Sequence, residues 1–309
     1  MRIAVMGTGG VGGYFGGLLA RAGHEVVFIA RGAHLRAIRA RGLRVESLVD
    51  PFTIAPATAT DDPEEVGPVD LVVLGVKTYD LATAIEQMRP LVGPATTVLT
   101  LQNGVEAPEL VAQAFGLQAV LPGLVYCEVA VKEPGVIFQG SPVQRIVLGE
   151  PNGTISARAR AIADAFAATG VDTTLSQNVL GALWTKFCFI CAMSGVTTLT
   201  RQPLGPILAD DEARTLLRTV MEEVRAVGLA RSIRFDADPV EAGLATAARF
   251  PPETKSSMQR DLERGRRLEI EALNGAVVRM GRALGVATPA NQAIYAALRL
   301  AQTTPSDGI

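Results

Sequence analysis

Residues 1–17, with the sequence MRIAVMGTGGVGGYFGG, decide how the first half of the chain folds. The apolar run at residues 2–6 predicts a buried strand, which passes directly into Gly7-Thr8-Gly9-Gly10-Val11-Gly12. This loop has the spacing G-x-G-x-x-G, in which the first glycine permits a tight turn and the second lets a phosphate approach the backbone. The third glycine lets the following helix pack closely on the strand. Because the start of that helix offers free N–H groups and a positive dipole, we predict a site for a dinucleotide pyrophosphate.

Alternating apolar strands and helical patterns continue from this loop to about residue 168. Further strands are predicted at residues 24–30, 70–76, 97–101 and 119–121, followed by a hairpin across residues 140–142. Such alternation predicts βαβ units and a parallel sheet covered on both faces. From residue 177 onward the pattern is helical and includes one long helix over residues 257–284. We therefore predict an α/β protein with a Rossmann-type doubly wound domain over residues 1–175 and an all-helical domain over residues 176–309, with the ligand in the cleft between them.

Composition excludes several classes of function. The 309 residues include 29 basic and 31 acidic ones, so there is no charge surplus for binding nucleic acid. Three cysteines do not make a disulfide framework, and no targeting segment is evident, so we expect a cytoplasmic protein. We interpret the pair Cys188 and Cys191 as core packing and the apolar stretch around it as a buried helix rather than a membrane span. The only histidines are His24 and His34, so we predict no metal site and no catalytic histidine in the second half.

The ends of the predicted strands carry polar residues, and ligands of open α/β sheets bind at those ends. The second strand ends at Arg31, where an NAD site usually has a carboxylate for the ribose 2′-hydroxyl. An arginine suits a 2′-phosphate, so we predict NADP as the cofactor, the alternative being an ordinary solvated arginine. Lys77 and Asn103 end the next two strands. We expect Lys77 to add positive charge for the cofactor and Asn103 to bond the nicotinamide ribose or the substrate, unless either is structural.

Two ionisable residues of the second half lie in apolar surroundings. Lys186 is the only charged residue between positions 173 and 200. Burial without a nearby counter-charge lowers the pKa of a lysine towards the range useful for proton transfer, although such a lysine can also reach the surface from a helix end. Glu269 falls on the apolar stripe of the predicted helix over residues 257–284, where it needs a partner or a ligand hydroxyl. Ser256 and Gln259 have the spacing of a capping box at the start of that helix.

Together these residues resemble the ketopantoate reductase family. The resemblance covers nearly the whole chain and rests on Gly7–Gly16, Ala30-Arg31, Val76-Lys77, Gln102-Asn103-Gly104, Trp184-x-Lys186, Ser256-Ser257-Met258 and Glu269. It implies an NADPH-dependent oxidoreductase that reduces 2-dehydropantoate (ketopantoate) to pantoate in pantothenate and coenzyme A biosynthesis. It also implies that the glycine loop holds the pyrophosphate and that Arg31 and Lys77 serve the phosphate end of the cofactor.

The resemblance further assigns roles around the substrate. Lys186 would be the general acid that protonates the carbonyl oxygen as hydride arrives, and Glu269, the second predicted catalytic residue, would lie near a substrate hydroxyl. Ser257 would lie near the substrate carboxylate, and Asn103 near the nicotinamide and the substrate. Ser194 completes the predicted substrate-binding residues.

One departure from the family leaves alternatives open. The helix after the lysine usually carries asparagines four and eight residues on, and this chain has Ile190 and Ser194 there. Because a polar site discriminates substrates through such contacts, the alternative is a reductase of a different 2-keto acid or a β-hydroxyacid dehydrogenase-like enzyme. An alternative of another class is a non-catalytic NADPH-binding regulatory protein. We expect a small-molecule substrate, no nucleic-acid or membrane partner, and a homodimer formed through the helical domain.

Overall fold

The computed structural model describes residues 1–301, in which ten strands form one sheet. Six strands follow the order β5-β2-β1-β6-β7-β8, and all neighbours in this series are parallel. This is the order of a doubly wound dinucleotide-binding sheet, whose winding reverses between β1 and β6. The predicted Rossmann-type sheet is therefore confirmed. The strands are β1 (Arg2–Met6), β2 (Glu25–Ile29), β3 (Leu43–Ser47), β4 (Phe52–Ile54), β5 (Thr58–Thr60), β6 (Leu71–Leu74), β7 (Thr97–Thr100), β8 (Val120–Glu133), β9 (Val136–Leu148) and β10 (Asp172–Leu175).

Both faces of this sheet are covered, because side chains alternate along each strand. On β1, Ile3 and Val5 join one buried cluster, whereas Ala4 and Met6 join a second cluster on the opposite face. Other strands contribute to both clusters, and five helices of this unit cover them. They are α1 (Gly10–Arg21), α2 (Gly32–Arg41), α3 (Leu81–Gln87), α4 (Ala107–Phe115) and α5 (Ala157–Ala167).

The hairpin predicted across residues 140–142 is wrong. β8 and β9 are long antiparallel strands, and the turn between them contains Gly135, which has a φ of +82°. Residues 140–143 form a bulge in β9 instead, because Gln139 pairs with Val129 and Gln144 pairs with Cys127. Pro142 has no N–H for the ladder, so a bulge is the position in a strand that tolerates it.

Helices account for the second half of the chain, as predicted. They are α6 (Val179–Thr200), α7 (Leu204–Ala209), α8 (Asp211–Ala230), α9 (Pro239–Ala247), α10 (Ser257–Glu263), α11 (Asn274–Leu284) and α12 (Pro289–Leu300). The single helix predicted over residues 257–284 is wrong, because it is broken between α10 and α11. Gly265 has a φ of +63°, and the N–H of Arg266 bonds the carbonyl of Asp261 at 2.8 Å, the pattern with which a left-handed glycine ends a helix. Glu269 therefore lies in the connection rather than on a helical stripe.

A buried polar network joins four of these helices. The Glu223 carboxylate of α8 accepts the N–H groups of Ala290 and Asn291 at 2.8 and 2.9 Å, where α12 begins. The Asn291 side chain accepts a hydrogen bond from Asn274 of α11 at 2.9 Å, and Asn274 donates to the carbonyl of Cys191 in α6 at 3.3 Å. A buried carboxylate is stable only with hydrogen-bonded partners, so breaking these bonds would be costly. The network therefore holds α6, α8, α11 and α12 together.

The chain divides into two compact units. The sheet unit contains Met1–Gln102 and Ala107–Val179, and the helical unit contains Asn103–Glu106 together with the chain from Leu180 onward. The two units therefore divide slightly beyond the predicted boundary at residue 175. The segment Asn103–Glu106 belongs to the helical unit although it lies within the sequence of the sheet unit, which the sequence does not predict. Among the described residues, α6 is the one helix long and apolar enough to cross a membrane, with a mean hydropathy of 1.6, and 67% of that apolar window is buried inside the protein.

Candidate active site

The glycine loop is tightly packed on one side and open on the other. Gly7 has a φ of +92°, and a Cβ added there would lie 2.5 Å from Cγ1 of Val76. A Cβ on Gly12 would collide with the carbonyl oxygen of Gly7, and one on Gly75, just after β6, would lie 2.9 Å from Cα of Gly12. At Gly9, by contrast, an added Cβ would meet nothing within 4 Å. Gly9 thus lies on the open side of a tightly packed loop, where a pyrophosphate can approach the backbone.

Local bonds hold this loop at the start of α1. The Thr8 side chain is buried, and both its N–H and its hydroxyl donate to the carbonyl of Ile29, at 3.1 and 2.9 Å. Thr8 therefore anchors the loop to the end of β2, and its hydroxyl is used within the protein. No side chain caps the helix start at Gly9, and the first N–H bond of α1 runs from Gly13 to Gly9 at 2.8 Å. The amides of Gly10, Val11 and Gly12 thus belong to the helix start, where an anion is favoured.

A small, open cleft in the sheet unit lies beside the glycine loop. Arg31, at the end of β2, and Asp61 and Asp80 contribute its charged groups, and Ile29 and Val76 are among its apolar walls. The guanidinium can bind a phosphate, and the two carboxylates can accept bonds from hydroxyl or amino groups. These groups can therefore contact the adenosine end of a dinucleotide that lies along the glycine loop.

Lys77 follows β6 and is exposed, and it stands just before the short helical turn Thr78–Asp80. It is not among the residues that line the cleft around Arg31. The structure thus places the predicted cofactor residues Gly7–Gly12, Arg31 and Lys77 at the carboxyl ends of β1, β2 and β6, where a doubly wound sheet binds its ligand.

In the helical unit, the structure brings Lys186 and Asn103 together. The Nζ of Lys186 donates to Oδ1 of Asn103 at 3.0 Å, and both residues are half-buried. The opposite side of α6 is fixed by Trp184 and Phe187, whose rings meet edge to face at 5.5 Å. Trp184 also packs against Gly228 of α8, where a Cβ would lie 3.0 Å from the indole. Packing on one side of α6 therefore sets the direction in which Lys186 leaves the helix.

The other predicted substrate residues lie on two further segments of the helical unit and on α6 itself. Glu269 is buried in the connection before α11, and its backbone carbonyl accepts the N–H groups of Ala272 and Leu273, each at 3.1 Å. Ser257 is exposed at the first position of α10, whereas Ser256 is the buried N-cap and accepts the N–H of Gln259 at 3.1 Å. The predicted capping role is thus confirmed for Ser256, which leaves the hydroxyl of Ser257 at the surface. Ser194 is buried in α6, two turns beyond Lys186.

The C-x-x-C pair is packed in the core. Cys188 donates to the carbonyl of Met221 at 3.0 Å, and burial raises the pKa of its thiol to about 12. Burial also raises the pKa of Cys191 well above its ordinary value. Reactive cysteines and metal ligands are thiolates, so these two side chains serve packing. Within residues 1–301, no group of three or more His, Cys, Asp or Glu side chains could hold a metal ion.

Two residues near the glycine loop have structural roles that the sequence does not predict. Gly75 packs directly on Gly12, and Gln102, at the end of β7, donates its amide to the carbonyl of Leu74 at 2.7 Å. Gln102 thereby fixes the end of β6 next to Gly75. Gly75 has a recognisable sequence signal, because a glycine at the end of a strand often marks a close approach of another backbone. Gln102 has no such signal, because the carbonyl group that it bonds lies 28 residues away in the sequence.

Comparison with known proteins agrees with this arrangement. The model for the family described as "Ketopantoate reductase PanE/ApbA" matches residues 3–153, and its C-terminal counterpart matches residues 178–302. A 2-dehydropantoate 2-reductase from Mesorhizobium japonicum is 36% identical, with 97% of each chain covered. The crystal structure of a PanE/ApbA family ketopantoate reductase from Ralstonia eutropha superposes with a TM-score of 0.90 at 37% identity, covering 98% of both chains.

A more distant structure shows how far the fold extends. D-mandelate dehydrogenase, solved with NADH and anilino(oxo)acetate, superposes with a TM-score of 0.89 at 24% identity and covers 98% of both chains. This likeness concerns the fold alone. The two family matches together span most of the chain. The protein therefore belongs to the ketopantoate reductase PanE/ApbA family of oxidoreductases, which implies a nicotinamide dinucleotide cofactor.

Proposed function

We propose that the protein reduces 2-dehydropantoate to pantoate with NADPH, a step of pantothenate and coenzyme A biosynthesis. The observation that carries the proposal is the 3.0 Å hydrogen bond between Lys186 and Asn103 in the helical unit. It gives a lysine a fixed direction beside a polar side chain, as a proton donor to a carbonyl oxygen requires. Family membership and the similarity to 2-dehydropantoate 2-reductases support the choice of substrate.

The chain's own residues suit a phosphorylated dinucleotide. The open backbone at Gly9 and the start of α1 would hold the pyrophosphate, and the cleft at Arg31 would hold the adenosine end. Arg31 favours NADPH over NADH because the residue at the end of β2 meets the ribose 2′ position, and a guanidinium there attracts a phosphate. Lys77 adds a second positive charge at the end of β6. When bound, the cofactor supplies the hydride for the keto carbon.

Lys186 supplies the proton in this proposal. Its ammonium group has three N–H donors, one of which bonds Asn103, and in this proposal an N–H of the same group donates to the carbonyl oxygen of the substrate. A proton donated to that oxygen neutralises the negative charge that would develop on it as hydride adds to the carbon, and gives the alcohol. Glu269 would accept a bond from a substrate hydroxyl, and the exposed hydroxyl of Ser257 would bond the substrate carboxylate.

A second candidate is a reductase of a 2-keto acid with a less polar side chain than 2-dehydropantoate. Ile190, one turn beyond Lys186, is half-buried and presents a hydrocarbon surface, and the next residue on that side of α6, Ser194, is buried. A site without an amide at these positions loses hydrogen bonds to a hydroxylated substrate. This observation favours an apolar 2-keto acid over 2-dehydropantoate.

A substrate panel decides between the two candidates. We would measure kcat/KM with NADPH and with NADH for 2-dehydropantoate and for 2-keto acids with plain aliphatic or aromatic side chains. The proposal predicts that 2-dehydropantoate and NADPH give the highest value. A preference for an apolar 2-keto acid by more than tenfold would favour the second candidate. Tight NADPH binding without turnover of any member would leave the regulatory alternative.

We also propose that the protein acts in the cytoplasm on a small molecule, as a homodimer formed through the helical unit. The cytoplasmic proposal is supported by its free cysteines, and the extent to which α6 is buried supports its role as a core helix. The balanced charge supports the absence of a nucleic-acid partner. Light scattering coupled to size-exclusion chromatography tests the dimer, and a mass of one chain would contradict it.

A further inference from the structure

The segment Asn103–Glu106 packs with the helical unit although both of its flanks belong to the sheet unit. Its first residue bonds Lys186, and its last residue, Glu106, is bound by Arg279 of α11. The Nη2 of Arg279 donates to Oε2 of Glu106 at 2.9 Å and to Oε1 at 3.2 Å. Between them, Gly104 has a φ of +96°, and a Cβ there would lie 3.0 Å from the carbonyl oxygen of Ala272. Glu106 thus holds this segment to α11.

Arg279 also reaches the turn that carries Glu269. Its Nη1 lies 3.4 Å from Oε2 of Glu271, two residues beyond Glu269. The hydroxyl of Tyr295 donates to the same carboxylate, at 2.9 Å from each oxygen. The Tyr295 ring is itself held against α11, because a Cβ on Gly275 would lie 2.9 Å from it. Glu271 is therefore held from two sides.

We propose that Arg279 is a positioning residue: its guanidinium joins the loop that orients Asn103 against Lys186 to the turn that presents Glu269. We call Glu106, Arg279 and Glu271 the Arg279 bridge. The inference rests on the proposed function, since it concerns the placement of the residues to which that function assigns the chemistry. A planar guanidinium with several donors can bind two carboxylates at fixed angles, which an ammonium group cannot do.

The bridge contributes to geometry more than to stability. The side chains of Arg279 and Glu106 are 48% and 33% exposed, and exposed ion pairs add little to the free energy of folding. A displacement of a reacting group by about 1 Å, in contrast, can lower a catalysed rate by about 100-fold. Loss of Arg279 is therefore expected to lower the catalysed rate substantially and to leave the melting temperature nearly unchanged.

Arg218 offers a matched control in the same unit. Its Nη1 binds Oε1 of Glu241 at 2.7 Å between α8 and α9, with the side chains 42% and 63% exposed, and it contacts neither loop of the bridge. We would compare Arg279→Leu, Arg279→Lys and Arg218→Leu in the full-length protein. The measurements are kcat and KM for the 2-keto acid, the Kd of NADPH, the melting temperature, and hydrogen exchange of the amides in residues 103–106 and 269–273.

The proposal predicts that Arg279→Leu lowers kcat/KM for the keto acid about tenfold, leaves the Kd of NADPH within twofold, and speeds amide exchange in both segments. Arg279→Lys keeps the positive charge but loses the planar guanidinium with its several donors. Its kcat/KM should lie between the values for wild type and Arg279→Leu. Values for Arg279→Leu within twofold of wild type, or an equal loss in Arg218→Leu, would overturn it. If the wild-type protein reduces no keto acid, the proposed function fails, and hydrogen exchange alone then decides: faster exchange in both segments supports the bridge, and unchanged exchange overturns it.

Discussion

The open backbone at Gly9 gives a prediction that separates cofactor binding from stability. A Cβ at Gly9 would meet nothing within 4 Å, and this residue has a φ of −80°, which alanine adopts without strain. Gly9→Ala should therefore fold as the wild-type protein does. The new methyl group would nevertheless occupy the surface that the pyrophosphate must approach. We expect weaker cofactor binding in a protein of nearly unchanged stability.

The size of this effect follows from the bonds at stake. Moving the pyrophosphate away from the backbone would forfeit about one hydrogen bond to a charged group, which is worth about 1.5–3 kcal/mol. That corresponds to a 10- to 150-fold increase in the Kd of NADPH. The free energy of unfolding should fall by about 1 kcal/mol or less, because alanine gains no contacts there and is a somewhat poorer N-cap than glycine.

Gly12→Ala is the matched control, because it adds the same methyl group inside the loop. There the Cβ would collide with the carbonyl of Gly7 and lie 2.9 Å from Cγ1 of Val5, so we expect overpacking to cost about 1–3 kcal/mol of stability. Fluorescence titration with NADPH gives the Kd of each variant, and thermal unfolding gives its stability. Wild-type affinity in Gly9→Ala, or destabilisation of Gly9→Ala equal to that of Gly12→Ala, would refute this account of the loop.

Two further predictions concern charged residues of the sheet unit. Arg31→Ala should raise the Kd of NADPH about 10- to 50-fold and change that of NADH less than twofold, because only NADPH carries the 2′-phosphate; equal losses for both cofactors in a binding titration would contradict it. Bonds from Arg158 and Ser156 hold the pKa of the buried Glu150 below its ordinary value, with Arg158 as the main cause. This carboxylate therefore stabilises the protein above pH 4.5, its ordinary pKa, and loses that effect as the pH falls through its lowered pKa. Glu150→Gln should cost about 2 kcal/mol at pH 7, and the unfolding free energies of the two proteins should converge in acid; a difference that is constant between pH 7 and pH 3 would disprove the assignment.

Local patterns made the sheet unit predictable. The strand before Gly7, the glycine spacing and the arginine after β2 lie within about 30 residues and follow from backbone geometry. The short strands β3, β4, β5 and β10 were missed, because each has only three to five residues and lacks a fully buried apolar run. The pattern around Pro142 predicts a turn, whereas β9 continues through this residue and accommodates it in a bulge opposite β8.

The helical unit shows where sequence reasoning ends. Lys186 stood out because its surroundings are apolar, and its hydrogen bond to Asn103 was not predictable across 83 residues of sequence. Glu269 was singled out for a helical spacing that the structure contradicts, since the left-handed Gly265 interrupts the helix. Nothing in the sequence distinguishes Arg279 from other surface arginines: its bond to Glu106 exists because the chain returns to the helical unit at residues 103–106, and its bond to Glu271 forms with the turn before α11.

The role of Lys186 as proton donor in the reduction of a 2-keto acid is tested most directly by comparing wild type with Lys186→Met. We would follow the absorbance of NADPH with 2-dehydropantoate as substrate and measure the Kd of NADPH separately for both proteins. The account predicts that kcat falls by about 100- to 10,000-fold, the usual contribution of a positioned general acid, while the Kd changes less than twofold. Turnover by Lys186→Met within tenfold of an active wild-type enzyme would show that another group donates the proton and would contradict the account.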